Sequence, residues 1–440
     1  MCQNNYGQDM WFQRRYAVLG VFCLLLFSFF ALYSYVITPE PIRVEEALQI
    51  VPESRWPVLG DDLDLQSLHL ALERNLVYLN KLSGKRTFSY GSQVVSADQV
   101  LEAQVELVDF IKQTPSAHEF ELFLKKKFKL LESVERRRLP WRKKENPVLF
   151  TGYYVPTLRG ARQPDENYRY PLYKKPADLI TVDLGKFDLH RWVRNLWPWL
   201  AKLPFGPRLE ALRFPSVRGR LLESGKVVPY YTRAEIDYEG KLREDNLELV
   251  WVDDEVDRFF LQIQGSGLVR LADGQTMMVG YAAANGHPYS SIGGWLIRQG
   301  LMPREKVSMP SIRAWIKENP ERIKEIFKVN SSYVFFRELP TPEALGCYNV
   351  PITGGRSIAT DRKLFPGGAL ALIITELPIF SPAGELTGWR PCRRLVLNQD
   401  TGGAIKGPHR VDLYCGDDKP AELTAGVMKQ PGRLFFFMPR

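Results

Sequence analysis

The sequence predicts a mainly β protein with additional helices, preceded by an N-terminal transmembrane helix. From residue 148 to about 284, short segments rich in β-forming residues are separated by glycine and proline. Between residues 62 and 134, apolar residues recur at helical spacing. Residues 16–37 form an apolar stretch without any charge. With 440 residues, the chain is long enough for two or three domains.

The apolar stretch at residues 16–37 is long enough to cross a bilayer, which needs roughly 20 residues. Arg14 and Arg15 precede it, so the positive-inside rule places residues 1–15 in the cytoplasm and exports the remainder. A cleaved signal peptide is the alternative, but its apolar region is normally shorter and ends in small residues. Here the stretch ends in Tyr33-Ser34-Tyr35. We therefore expect an uncleaved single-pass anchor.

Charge and cysteine content limit which partners, disulfides and metal sites are expected. The net charge is +9, and residues 125–144 concentrate much of the excess. Such a run is usually a solvated helix face; the alternative is contact with an anionic surface. Because no nucleic-acid-binding module accompanies it, no nucleic-acid partner is expected. Of the five cysteines, only Cys347, Cys392 and Cys415 would be exported, which allows at most one disulfide. No spacing suggests a metal site, so we expect neither metal nor cofactor.

Helices are predicted after a proline- and acid-containing linker at residues 38–61. Leucines between residues 63 and 82 indicate the first helix. Ser96 is a candidate cap for a second helix that continues to Ile111. A third is predicted over residues 118–134, with the lysines on its exposed face.

The sequence pattern changes from helical to β-forming after Pro140. Residues 148–155 are rich in β-forming residues and end at Pro156, and a tryptophan-rich segment follows from Trp192 to Trp199. Two helices are predicted over residues 290–299 and 311–328, the second kinked at Pro320. Strands return at Tyr333, and the strongest cover residues 369–376 and 434–437.

A cluster of acids and glycines near the C-terminus is the leading candidate for chemistry. The apolar run Leu395-Val396-Leu397 leads into Asp400-Thr401-Gly402-Gly403-Ala404-Ile405-Lys406-Gly407, and a second short strand carries Asp412. Glycines let the backbone turn tightly and approach a ligand closely. Two aspartates leaving such turns suit acid/base chemistry. The structural alternative is that Asp400 caps its turn and Asp412 faces solvent.

Three further segments are rich in aromatic, amide or hydroxyl side chains, as a sugar-binding site requires. They are Phe150-Thr151-Gly152-Tyr153-Tyr154, Gln262-Ile263-Gln264-Gly265-Ser266-Gly267 and Asn285-Gly286-His287 with its flanking residues. Each also has a structural interpretation: a tyrosine pair in a strand, a hairpin turn and a hydrogen-bonding histidine.

The Asp400-Thr401-Gly402 sequence also suggests an aspartic protease. That chemistry needs two such aspartates sharing a proton, and the chain contains one such motif. A dimer would have to supply the second aspartate, which leaves the tyrosine and glycine segments unexplained.

Taken together, these segments resemble the membrane-bound lytic transglycosylase A family of bacterial cell walls. The resemblance covers about residues 148–440 and is carried by six motifs in the family's order. They are Phe150-Thr151-Gly152-Tyr153-Tyr154, Thr232-Arg233-Ala234-Glu235-Ile236, Gln264-Gly265-Ser266-Gly267, Asn285-Gly286-His287, Val334-Phe335-Phe336 and Asp400-Thr401-Gly402-Gly403-Ala404-Ile405-Lys406-Gly407. The C-terminal part also resembles the three-aspartate domain, with Asp361, Asp400 and Asp412 as its acids.

The resemblance implies a double-psi β-barrel main domain with a second small β-barrel domain inserted in it. On this chain, residues 62–156 and 332–440 would form the main domain, with the three-aspartate region at 345–440. Residues 157–331 would form the insert. A groove between them would hold a glycan strand.

The implied activity is that of a peptidoglycan lytic exotransglycosylase. It cleaves the β-1,4 bond between N-acetylmuramic acid and N-acetylglucosamine and leaves a 1,6-anhydro end. By motif position Asp412 matches the single catalytic acid/base, and we expect partial burial to raise its pKa. Asp400 and Asp361 would support it. The candidate substrate contacts are Thr151, Tyr153, Tyr154, Gln264, Ser266, Asn285, His287 and Lys406.

The predicted partners are peptidoglycan glycan strands and, through the N-terminal helix, a membrane. Cell-wall synthesis proteins are further candidates. Family members include outer-membrane lipoproteins, whereas Cys23 does not resemble a lipid-attachment cysteine, so we expect inner-membrane anchoring with the body in the periplasm. A non-catalytic glycan-binding scaffold of the same fold is the alternative function. The sequence does not tell whether cleavage starts at strand ends, whether stem peptides are needed, or what the Trp192–Trp199 segment does.

Overall fold

The computed structural model describes residues 43–134 except 83 and 85, residues 147–184 and residues 216–440. The chain divides into two compact units. The smaller unit includes residues 178–229, and the larger comprises residues 42–177 and 230–440. All candidate site residues lie in the larger unit.

The helices of the described residues are short. In chain order they are α1 (Leu65–Asn80), α2 (Ala97–Lys112), α3 (Ala117–Lys127), α4 (Arg233–Asp237), α5 (Glu255–Gln264), α6 (Ile292–Arg298), α7 (Met309–Glu318), α8 (Ile323–Lys328) and α9 (Lys419–Val427).

Strands account for most of the remaining regular structure. The first ten are β1 (Leu48–Ile50), β2 (Thr87–Tyr90), β3 (Gln93–Ser96), β4 (Phe128–Ser133), β5 (Val148–Tyr153), β6 (Thr157–Ala161), β7 (Tyr170–Tyr173), β8 (Leu179–Asp183), β9 (Ser216–Leu221) and β10 (Val227–Val228). The others are β11 (Glu248–Val252), β12 (Ser266–Leu271), β13 (Thr276–Ala284), β14 (Val334–Glu338), β15 (Ser357–Ala359), β16 (Leu370–Phe380), β17 (Leu386–Asp400), β18 (Arg410–Tyr414) and β19 (Lys429–Pro439).

The main sheet closes into a six-stranded barrel. Its strands follow the order β5, β18, β15, β17, β16 and β19, and β19 pairs again with β5. The β5–β18 and β15–β17 pairs are parallel, and the other pairs are antiparallel. Strands β4 and β1 extend the sheet beyond β19. Closure of the barrel therefore places β5, which ends before residue 154, beside β19, which begins at residue 429.

Strand β19 closes the barrel by changing partners along its length. Residues 429–432 pair with β5, whereas residues 433–436 pair with β16. At the change stands Gly432, where a Cβ would lie 2.4 Å from the carbonyl oxygen of Ile374 and 2.7 Å from the Phe150 ring. Only glycine permits this close approach.

Apolar residues cover both faces of the barrel wall. The interior holds Phe150, Ile358, Val396, Val411, Leu413 and Phe436, all at most 1% exposed. Helices α1 and α2 pack on the outer face around Leu72, Leu107, Leu372, Leu395 and Phe435. Because side chains of β16, β17 and β19 are buried alternately inside and outside the barrel, residues 370–374, 395–397 and 434–438 read as continuous apolar runs.

A second six-stranded sheet follows the order β14, β13, β12, β6, β11 and β7. An isolated bridge between Lys174 and Phe336 links the region after β7 to β14. Its core includes Leu158, Val250 and Val269, and a separate apolar cluster around Phe259 and Phe327 involves α5 to α8. The smaller unit contributes an antiparallel sheet of β8, β9 and β10.

One predicted helix is only half correct. Residues 118–134 form α3 up to Lys127, and then the chain continues as β4. The lysine-rich face gave a helical pattern, but residues 128–133 pair with both β19 and β1. Tertiary strand pairing overrides the local pattern here. Residues 135–144 of the basic run lie outside the described residues.

The predicted fold class must be corrected in its membrane-spanning part. In the regions that the structure describes, no helix is both long and apolar enough to cross a bilayer. The longest helices there, α1 and α2, have 16 residues each and carry charged side chains. That length corresponds to about 24 Å, short of the roughly 30 Å of a hydrocarbon core. The predicted span 16–37 and the Trp192–Trp199 segment lie outside the described residues.

Candidate active site

Asp400 and Asp412 lie on either side of the same residue in the barrel wall. Ala359 of β15 pairs with Asp400 of β17 on one side and with Asp412 of β18 on the other. Asp412 in turn pairs with Thr151 of β5. Since neighbouring strands lie about 4.8 Å apart, the two aspartate backbones are about 10 Å apart. The barrel thus brings segments distant in sequence into one row.

The acidic side chains point away from the barrel core. In β18 the side chains of Val411 and Leu413 are buried in the core cluster, so Arg410, Asp412 and Tyr414 occupy the opposite face. The parallel register with β5 places Thr151 beside Asp412 and Tyr153 beside Tyr414. The Tyr153 and Tyr414 rings are 5.2 Å apart. These residues form one continuous polar and aromatic surface.

Asp400 has hydrogen bonds on both carboxyl oxygens. The backbone amides of Thr401 and Cys347 donate to Oδ1 at 2.8 and 3.1 Å, and the Tyr153 hydroxyl donates to Oδ2 at 2.8 Å. Burial raises the pKa of Asp400 to about 6, and these hydrogen bonds oppose the rise. Because all three donors stabilise the carboxylate, Asp400 is suited to remain charged.

Asp412 has a different environment. Its Oδ1 is buried without a hydrogen-bond partner, and Arg410 Nη2 lies 3.8 Å away. About a fifth of the Asp412 side chain is exposed. Burial raises the pKa of Asp412 to about 6; Arg410 lowers it, and Asp400 raises it further. A carboxyl group of this kind keeps its proton more easily than an ordinary surface aspartate.

Asp361 holds two loops together. Its Oδ1 accepts from the backbone amide of Lys363 at 3.1 Å, and its Oδ2 accepts from that of Gly407 at 2.9 Å. The side chain therefore fixes the glycine-rich loop that connects Asp400 to Asp412.

The tyrosine segment and the first glycine segment meet at the end of β5. The Gln264 side chain accepts from the backbone amide of Tyr154 at 3.1 Å. Tyr154 is 3% exposed and packs against Ala421 and Ala425 of α9, so its ring is part of the core. Ser266 begins β12 two residues after Gln264 and is partly exposed.

Asn285 and His287 make hydrogen bonds to neighbouring loops. The Asn285 amide group donates to the carbonyls of Tyr231 and Ser331 at 2.8 and 2.9 Å, and its oxygen accepts from the backbone of Tyr333 at 2.9 Å. His287 Nε2 is 2.7 Å from the Tyr230 carbonyl, to which it donates. Both side chains hold neighbouring loops in place.

Among the remaining predicted residues, Lys406 is exposed in the glycine-rich loop, and the Thr151 hydroxyl is 3.5 Å from the Val411 carbonyl. The structure therefore groups Asp412, Asp400, Thr151 and Tyr153, whereas the substrate contacts of Asn285 and His287 stay predictions and the ring of Tyr154 packs in the core. Sequence reasoning missed Arg410 and Tyr414. Strand alternation around Asp412 would have placed both on its face. Cys347, Cys392 and Cys415 are free thiols.

Two family models match this chain. The MltA specific insert domain matches residues 149–337, and the 3D domain matches residues 356–438. The second match contains Asp361, Asp400 and Asp412.

Similar curated proteins and solved structures carry related names. The chain is 32% identical over 294 residues to membrane-bound lytic murein transglycosylase A of Vibrio cholerae, a match that covers 66% of each chain, just under two thirds of that relative. A membrane-bound lytic murein transglycosylase from Agrobacterium tumefaciens superposes with a TM-score of 0.68 at 27% identity, over 90% of this chain and 98% of that one. Escherichia coli MltA with bound chitohexaose has a TM-score of 0.61 at 22% identity, over 91% and 97%, and supports the fold alone.

Proposed function

Because the chain belongs to the membrane-bound lytic murein transglycosylase A family, we propose that it cleaves the glycan strands of peptidoglycan. The bond cleaved is the β-1,4 linkage between N-acetylmuramic acid and N-acetylglucosamine. The product carries a 1,6-anhydromuramic acid end.

The observation that carries the proposal is the contrast between the two aspartates. Asp412 has a buried, unpartnered oxygen, whereas Asp400 accepts three hydrogen bonds. Environments that differ in this way assign one carboxyl group to proton transfer and the other to a charged supporting role. We assign proton transfer to Asp412.

In the first half of the reaction, protonated Asp412 donates its proton to the glycosidic oxygen. The bond between that oxygen and C1 of the muramoyl residue breaks, and N-acetylglucosamine leaves with a free 4-hydroxyl. In the second half, the Asp412 carboxylate accepts the proton of the muramoyl C6 hydroxyl, whose oxygen bonds to C1. Asp412 ends protonated, and no water is consumed.

One carboxyl group suffices because the nucleophile is already part of the substrate. Ordinary glycosidases use two carboxyl groups, one of which activates water or attacks C1. Here the tethered C6 hydroxyl needs only orientation and proton removal. Thr151 and Tyr153 lie on the Asp412 face and are our proposed sugar contacts, with Lys406 in the exposed glycine-rich loop and Ser266 and Gln264 near the end of β5. We place the reaction in the periplasm, where this polymer lies.

The test is mass spectrometry of soluble fragments released from purified sacculi by the full chain. Wild type is expected to release fragments with anhydromuramoyl ends, and Asp412→Asn is expected to release none. Reducing ends from wild type would instead identify a hydrolase. Full activity of Asp412→Asn with loss in Asp400→Asn would reverse the assignment of the two acids. No release by the wild type, with retained sacculus binding, would indicate a glycan-binding scaffold.

A further inference from the structure

We propose that Arg410 is a positioning residue that stabilises the carboxylate form of Asp412 and so allows the acid to act next as a base. This inference rests on the proposed function, since it concerns the same proton-transfer group. It adds a residue outside the glycine-rich motif to the machinery of the site.

The geometry places the guanidinium beside the carboxyl group without locking it. Arg410 and Asp412 are two residues apart in β18 and share its outward face. Arg410 Nη2 is 3.8 Å from Asp412 Oδ1, which is within ion-pair range but too long for a hydrogen bond. Asp412 Oδ1 and Arg410 Nε are both buried and have no hydrogen-bond partner. A neutral Asp412 can therefore exist beside Arg410, and a charged one gains the attraction of the cation.

The other groups around Asp412 act differently from Arg410. Asp400 lies two strands away across Ala359, and its negative charge favours protonated Asp412. Tyr153 and Tyr414 are neutral phenols whose burial raises their pKa values. Titratable or charged groups nearby on β5, β17, β18, β19 and the chain after β18 are Tyr153, Asp400, Arg410, Tyr414, Lys429 and Cys415. Burial raises the pKa of Tyr289, after β13, and this residue is close enough to Arg410 for that charge to oppose the rise. Arg410 is the cation in this group that contacts the Asp412 carboxyl group.

The reaction requires such a cation at one particular stage. After Asp412 has donated its proton, a carboxylate is left at a largely buried position and near Asp400. A fixed cation lowers the free energy of that state, which precedes removal of the C6 hydroxyl proton. Without Arg410, the acid would hold its proton more tightly and would be slower to pass to the base form.

The experiment compares the pH dependence of sacculus cleavage for wild type, Arg410→Gln and Arg410→Lys. For Arg410→Gln we expect kcat to fall about tenfold, because the carboxylate loses its cation. The alkaline limb of the kcat/KM profile should move upward by about one pH unit, because loss of a nearby cation raises the pKa of Asp412. Arg410→Lys should restore part of both effects.

The matched control is Arg159→Gln. Arg159 has 80% of its side chain exposed and pairs with Asp253 on the second sheet. This control removes the same charge from an exposed position on the second sheet and should leave the pH profile unchanged.

A second measurement avoids dependence on activity. The carboxyl carbon of Asp412 is identified by NMR from the resonance that Asp412→Asn lacks, and its titration is compared between wild type and Arg410→Gln. A higher midpoint in the variant supports the inference. An unchanged midpoint in a folded variant overturns it, as does loss of activity with an unshifted pH profile. If wild type itself releases no anhydro products, the proposed function fails, and the NMR titration still decides whether Arg410 stabilises the charged form.

Discussion

At the scale of single residues, two carboxyl groups reach raised pKa values through different balances. Burial raises both pKa values to about 6. Asp400 offsets part of the effect with three hydrogen bonds, whereas Asp412 has Arg410 nearby and no hydrogen bond to Oδ1. The charge on one disfavours charge on the other, so their titrations are coupled.

The first prediction concerns the pH dependence of the wild-type enzyme. Because Asp412, as the proposed acid, has to be protonated to begin the proposed reaction, we expect kcat/KM to fall as the pH rises above about 6. Initial rates of fragment release from sacculi, measured from about pH 4 to about pH 9, would give this pH dependence. A rate that rises through this region would contradict an acid that must start protonated.

The second prediction concerns the Tyr153 hydroxyl, which donates to Asp400 at 2.8 Å. In Tyr153→Phe the Asp400 carboxylate loses this bond, so its pKa rises and its average charge falls. The smaller charge lowers the pKa of Asp412, and the alkaline limb of kcat/KM should move downward, opposite to the shift for Arg410→Gln. Tyr168→Phe, in the turn before β7, serves as the control. An upward shift of the alkaline limb in Tyr153→Phe would contradict the inferred effect of the Asp400 charge on the pKa of Asp412.

At the scale of elements, the parallel pair β5–β18 determines which side chains meet, and α9 packs on it through Gly152. A Cβ on Gly152 would lie 2.9 Å from both Ala425 Cα and Cys415 Sγ. We therefore expect Gly152→Ala to lower the free energy of unfolding by about 2 kcal/mol through overpacking. Urea denaturation would measure this. The control is Gly388→Ala in β17, where the nearest atom would be 4.0 Å away; an equal loss in both variants would contradict the packing argument.

Asn285 joins three chain segments near the start of β14. Asn285→Ala removes its hydrogen bonds to residues 231, 331 and 333 and should lower the free energy of unfolding by about 3 kcal/mol. Urea denaturation again provides the measurement. Asn80→Ala, at an exposed helix end, should change stability by less than about 0.5 kcal/mol. Unaltered stability of Asn285→Ala, with a raised KM, would instead support its predicted contact with substrate.

The elements that the sequence predicted well were those with local signals. Ser96 caps α2 with a reciprocal bond to Gln99, and Pro320 separates α7 from α8. Helix α5 was missed although Asp254 caps its start and Gly265, at φ +86°, ends it. The row of Asp400, Ala359, Asp412 and Thr151 depends on strand pairings between distant segments, which no local pattern contains. The sequence motifs therefore named the acids but not the row that they form, whereas strand alternation alone would have placed Arg410 on the face of Asp412.

At the scale of the whole molecule, the buried acids connect the site to folding stability. A carboxyl group whose pKa rises from 3.8 to about 6 on folding contributes stability below pH 3.8, and that contribution is lost as the pH rises through about 6. For Asp412 the difference is at most about 3 kcal/mol. Asp412→Asn should therefore be more stable than wild type at about pH 8 and nearly equal to it at about pH 4, which lie about two units above and below the transition. Urea denaturation at both pH values would measure the difference. Equal stability at both pH values would contradict a strongly buried acid.

Closure of the barrel by β19 has a consequence for timing. The strand that pairs with both β5 and β16 follows every other part of the site in the sequence, so a ribosome or an export channel releases it after them. A partly emerged chain holds all its catalytic side chains but has an open ring. We expect a chain ending at residue 428 to be inactive on sacculi, and such a delay would keep the proposed wall-degrading activity silent until β19 has been made and transported.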